Sequence, residues 1–103
     1  MANDMSGVPS NEPSLAGPII RGGEVAMAAL EAIREDNPDK EIVVEDHGTY
    51  VRIEALGGLV VRRKTIEEIL GRPFDLQELQ GNLSSFSGQI DTQDDLIRWY
   101  FKT

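Results

Sequence analysis

The chain has 103 residues, enough for one domain around one core, and 18 acidic against 10 basic side chains give it a net charge of −8. That acidity argues against nucleic-acid binding through phosphate neutralisation and favours a protein partner with a basic or neutral docking surface. It contains no cysteine, which excludes disulfides, a thiolate nucleophile and cysteine-built zinc or iron–sulfur sites.

No apolar run approaches the ~18 residues of a membrane span. The first residues also lack the basic-then-apolar order of an export signal, so a cytoplasmic protein is expected. Residues 1–16 are mostly small and polar, with Gly7, Pro9 and Pro13 breaking any period. They are predicted to form a flexible tail ahead of a single domain over 17–103.

Gly17 to Arg21 is predicted to be a short strand, with Pro18 confined to its first position or to a sheet edge. Gly22-Gly23 turns the chain into a helix over Glu24 to Glu35. There Val25, Ala28, Ala29, Ala32 and Ile33 follow the spacing of one apolar face, and Asp36-Asn37-Pro38 ends it. Glu41 to Glu45 is rich in β-branched residues and reads as a strand. After the turn Asp46-His47-Gly48-Thr49, Tyr50 to Ala55 alternates, with Val51, Ile53 and Ala55 on the buried face and Tyr50, Arg52 and Glu54 opposite. Gly57-Gly58 is predicted to make a second hairpin into Leu59 to Arg63.

Two capping boxes follow. Thr65-Ile66-Glu67-Glu68 opens a helix that Gly71 closes in a left-handed conformation and Pro73 stops. Asp75-Leu76-Gln77-Glu78 opens the next, with Phe74 and Leu79 as a hydrophobic staple and an end at Gly81-Asn82. Ser84 to Gly88 is too polar for a helix and too small for a core strand, so a loop is expected. A last hairpin joins Gln89 to Asp91 with Leu96 to Lys102, where Ile97, Trp99 and Phe101 share one face. The order β-α-β-β-β-α-α-β-β indicates an α+β fold, a mostly antiparallel sheet with helices packed on it. Its predicted core is Val51, Ile53, Leu59, Val61, Ile66, Ile69, Leu79, Ile97, Trp99 and Phe101.

Catalytic chemistry finds little support. His47 is the only histidine and sits in a turn, without a second nitrogen or sulfur ligand. Glu67 and Glu68 belong to a helix start, where acids complement the dipole, and Asp94 and Asp95 to a turn. Neither pair suggests the desolvated cleft that acid–base work requires. Nucleophile elbows and phosphate-binding glycine loops are absent. Arg62-Arg63-Lys64 reads as a solvated strand end or a small docking patch. These residues alone leave open a generic small protein-interaction module.

Leu70-Gly71-Arg72-Pro73-Phe74-Asp75 and then Asn82-Leu83-Ser84-Ser85-Phe86-Ser87-Gly88-Gln89-Ile90 resemble the effector proteins of bacterial multicomponent monooxygenases, most nearly those of toluene monooxygenases. Gly17-Pro18-Ile19-Ile20-Arg21, Asp36-Asn37-Pro38, Lys40-Glu41-Ile42, Val44-Glu45-Asp46, Tyr50-Val51-Arg52-Ile53 and Lys64-Thr65 extend the resemblance, in order, from residue 17 to the end. It implies a non-catalytic, cytosolic α+β protein without metal or organic cofactor. Such a protein binds a diiron hydroxylase near its active site and raises turnover and the coupling of NADH and O₂ use to hydroxylation. Electrons reach the hydroxylase from an NADH reductase, through a Rieske ferredoxin in the toluene systems. The resemblance also implies that the segment after the later helix faces the hydroxylase. Asn82, Ser84 and Ser85 are the matching positions, and Phe86 adjoins them as an apolar anchor.

Overall fold

A computed structural model describes residues 14–101. Residues 1–13 of the expected tail lie outside the described residues, as does Lys102 of the expected last strand. Strand β1 (Leu15–Arg21) begins two residues before Gly17, and Ala16 is already fully buried. It is followed by α1 (Glu24–Asp36), β2 (Val43–Asp46), β3 (Tyr50–Leu56) and β4 (Gly58–Arg62). Then come α2 (Arg63–Leu70), α3 (Leu76–Gly81), β5 (Leu83–Ser87), β6 (Gln89–Thr92) and β7 (Leu96–Tyr100). The α+β class and the order of elements agree with the expectation, with one strand, β5, added.

All pairings are antiparallel, but they form two sheets, β2-β3-β1-β5 and β4-β7-β6. The glycine pair between β3 and β4 is therefore not the tip of a hairpin. It is the point at which the chain leaves one sheet for the other, and β4 pairs with β7 instead. Gly58 has φ 114°, and a Cβ there would run into the carbonyl oxygen of Trp99, so the crossing strand lies against β7 only without a side chain.

The face of α1 that carries Ala28, Ala29, Ala32 and Ile33 is buried as its spacing predicts, and the helix packs on α2 and β4. Small side chains on that face permit close approach, and Ile20, Ile33, Val51, Ile53, Leu59, Val61, Ile66, Leu79, Ile97 and Trp99 join one apolar cluster. Two predicted core residues differ. Ile69 is only partly buried, and Phe101 is 40% exposed. The β7 ladders end at Tyr100, so nothing holds Phe101 to the alternation of the strand.

The first capping box does not form. Helix α2 starts before it, at Arg63, and the Thr65 hydroxyl donates instead to Asp36 Oδ1 at 2.7 Å. The other oxygen of Asp36 accepts the Arg62 amide at 2.8 Å, so the last residue of α1 secures the start of α2. Gly71 closes α2 in the left-handed region, at φ 72°. The Glu67 carboxylate then accepts the Phe74 amide at 2.9 Å and holds the corner before α3. Asp75 caps α3 as predicted, though its side chain takes the amide of Gln77 at 2.8 Å, while the Glu78 amide donates to the Asp75 carbonyl. Phe74 and Leu79, the staple residues, are both buried.

Candidate partner-binding surface

The segment Ser84 to Ser87, expected as a loop, is an edge strand. Its side chains supply little to the core, but β1 offers a free ladder, and main-chain pairing does not depend on side-chain size. Pro18 likewise departs from its expected strand end: it lies mid-strand, opposite Phe86, in a β1 flanked on both sides. The β1–β3 ladder has no pair at Gly17 or Pro18, where a proline has no N–H to give.

The four predicted site residues fall in one continuous run at the end of α3 and along β5. Asn82 is the C-cap of α3 and half-buried; its Nδ2 donates to the Glu78 carbonyl at 2.8 Å, and its own carbonyl accepts the Arg21 amide at 2.8 Å. The Arg21 guanidinium also donates to the Gly81 carbonyl, so the helix end is satisfied from within the fold. Ser84 and Ser85 are therefore not needed as caps, and both are exposed. Ser85 pairs with Ile19, and Ser84 lies where the register slips between Ile19 and Ile20. Phe86 is 39% exposed rather than turned fully inward. The result is an uncharged edge of small hydroxyl side chains beside a half-exposed aromatic ring. Such a surface can take hydrogen bonds and apolar contact at low entropic cost, but it holds no group suited to bond cleavage.

Glu54 was not legible as a special residue. Alternation assigns it to the solvent face of β3, yet it is only 6% exposed and accepts the Ser87 hydroxyl at 2.6 Å and Arg52 Nη1 at 3.3 Å. Gly17, the glycine across from it, opens the predicted strand and lies inside the observed one.

The remaining polar residues have local roles. The His47 ring stacks on Tyr50 with centroids 4.5 Å apart, and its Nε2 lies 3.3 Å from Glu45. No group of three or more metal-ligating side chains occurs among the described residues. Arg63 reaches the Glu67 carboxylate at 3.2 Å. The Phe74 amide, and after it Arg63, hold the Glu67 carboxyl below the usual carboxylate range. No helix among the described residues is long and apolar enough to cross a membrane.

Residues 14–100 match the MmoB/DmpM family. The chain is 40% identical to the effector subunit of the alkene monooxygenase system of Xanthobacter autotrophicus (strain ATCC BAA-1158 / Py2), over 89% of this chain and 91% of that one. It is 41% identical to the phenol 2-monooxygenase stimulatory component DmpM of Pseudomonas sp. (strain CF600), over 72% of this chain and 82% of that one. Among solved structures, a chain of a phenol hydroxylase–regulatory protein complex superposes with a TM-score of 0.73 at 34% identity, covering 85% of this chain and 99% of that one. The regulatory protein B of soluble methane monooxygenase shares the fold, with a TM-score of 0.66 at 23% identity, over 89% of this chain and 68% of that one. These relatives are effector, stimulatory or regulatory components, not catalytic subunits, and an unrelated interaction module is thereby set aside. The chain belongs to the MmoB/DmpM family of monooxygenase effector proteins.

Proposed function

We propose that this protein binds the diiron hydroxylase of a toluene or related aromatic monooxygenase through Asn82, Ser84, Ser85 and Phe86. Binding raises turnover and the fraction of NADH and O₂ use that ends in hydroxylated product. The protein acts in the cytoplasm without a cofactor of its own, alongside a Rieske ferredoxin and an NADH reductase that deliver the electrons. The observation that carries the reading is the β5 edge, where Ser84 and Ser85 are exposed and no charge interrupts the strand. A protein without chemistry speeds a reaction only by binding one state of its partner more tightly than another. The Asn82 side chain is spent on the helix end, and its main-chain carbonyl, bonded to the Arg21 amide, fixes the start of the strand.

A second reading has an alkene-oxidising hydroxylase as the partner, favoured by the identity to the Xanthobacter effector over nearly the whole chain. Reconstitution separates the two. Purified toluene, phenol and alkene diiron hydroxylases, each with its electron-transfer components, are assayed with and without this protein for product formed per NADH consumed. A rise confined to the aromatic oxidisers supports the first reading, and one confined to the alkene enzyme supports the second. No rise with any of them would remove both.

A further inference from the structure

The structure assigns a positioning role to Glu54: its carboxylate holds Ser87 across Gly17 and thereby sets where β5 presents Ser84, Ser85 and Phe86. The assignment rests on the reading of β5 as the docking strand.

The register of the sheet makes the bond possible. Ala16 pairs with Ala55 and Ile19 with Arg52, which places Gly17 opposite Glu54. On its other side Gly17 pairs with Ser87. Glu54, Gly17 and Ser87 thus form one row across three strands, all on the face away from Val51, Ile53 and Ala55. The outer two lie about 10 Å apart along the row, two strand spacings. At the middle residue the main chain of β3 leaves no room for a side chain. Gly17 has none, and a Cβ there would meet the Ile53 carbonyl oxygen. The carboxylate passes over the gap and accepts the Ser87 hydroxyl at 2.6 Å.

Glu54 is also the one acidic side chain buried among the described residues. A buried carboxylate is costly unless it is paired and hydrogen-bonded. Here one oxygen takes both Ser87 and Arg52, and Arg52 in turn lies 3.6 Å from Glu45. The fold retains this arrangement beside a strand whose ladder is weak. The strand has five residues, its register slips once, and it faces a proline that lacks an N–H. Main-chain bonding from Arg21 to Asn82 fixes its start, and Glu54 fixes its end at Ser87. Ser84, Ser85 and Phe86 span the interval between those two pins. A strand held in place loses less freedom when a partner docks, so a bond beneath it changes affinity without touching the partner.

The test uses the full chain with Glu54→Leu, Ser87→Ala, the double variant, and Glu54→Gln, which keeps a carbonyl acceptor for Ser87. Amide hydrogen exchange over 83–87 is read in the free protein, and binding is titrated against whichever of the three purified hydroxylases responds to the unmodified chain. The two single variants should each speed exchange by roughly tenfold, the scale of a lost charge-assisted hydrogen bond, and weaken binding severalfold. The double variant should do little more than either single one. Glu54→Gln should restore most of both readouts, and it keeps the test open if the leucine variant fails to fold. Unchanged exchange in Ser87→Ala, or additive effects of the two substitutions, would overturn the assignment. Faster exchange with unaltered binding would also overturn it; if a Ser84→Ala, Ser85→Ala variant still lost affinity, the docking strand itself would stand.

Discussion

Asn37 and Val60 bond as two strands would, although one of the pair is a side chain. Asn37 Nδ2 donates to the Val60 carbonyl at 2.7 Å, and the Val60 amide donates to Asn37 Oδ1 at 3.0 Å. Nδ2 also donates to the Ile33 carbonyl at 2.7 Å, so one buried amide closes α1 and occupies the free edge of β4. Asn37→Ala leaves the Val60 amide and carbonyl without these partners, while the Ile33 carbonyl keeps the Asn37 main-chain amide, and should cost about 2–3 kcal/mol. Thermal denaturation should show a midpoint lower by about 10–20 °C for a domain of this size. A shift within error would mean that water replaces the amide without loss.

Trp99 is fully buried on β7, paired with Leu59 of β4, and Gly58 has no side chain so that it can lie against the Trp99 backbone. Trp99→Ala should therefore cost about 3–5 kcal/mol, the usual range for a large buried aromatic. Phe101→Ala, two residues on and exposed, should cost well under 1 kcal/mol, as surface substitutions do. Chemical denaturation of the pair checks both values. Equal losses would show that the strand face has been assigned wrongly.

That pair also marks the limit of what the sequence reveals. Alternation identified Ile97 and Trp99, but it cannot say where a ladder stops, and Phe101 falls just past the end. Local patterns succeeded where their partners are local, as at Gly71 and at Asp75. They failed where a distant group outbids a near one. Thr65 has a capping-box sequence, yet Asp36, 29 residues away, takes its hydroxyl. Gly57-Gly58 has the composition of a hairpin, but which sheet receives the next strand is decided by β7. Ser84 to Ser87 became a strand through main-chain pairing that no side-chain pattern encodes. The site residues came from resemblance; their continuity along one edge came from the fold.

Glu67 provides a pH dependence of definite sign. The Phe74 amide, with Arg63 beside it, lowers the folded-state pKa of its carboxyl relative to the unfolded chain. A group depressed in this way stabilises the fold above its unfolded pKa, and the stabilisation is lost as pH falls through the folded value. Stability should therefore decline through the acid range below the normal glutamate pKa. Glu67→Gln should flatten that part of the curve. Parallel curves for the two proteins, followed by thermal melts at closely spaced pH values, would contradict the role assigned to this carboxylate.

Coupling to hydroxylase chemistry requires differential binding. Affinity for the responding hydroxylase should differ between the oxidised and the reduced diiron forms, measured by anaerobic titration. Equal affinities would exclude thermodynamic coupling to that step, because a ligand that binds two states alike shifts neither.

The most direct measurement concerns the β5 edge itself. Ser84 and Ser85 are exposed and are not needed to satisfy the end of α3, so Ser84→Ala with Ser85→Ala should leave stability within roughly 1 kcal/mol. The same double variant, added to the reconstituted hydroxylase with its electron-transfer components, should lower the product formed per NADH consumed or weaken binding. A variant that melts normally and still supports full, coupled turnover would show that the two proteins do not communicate through this strand.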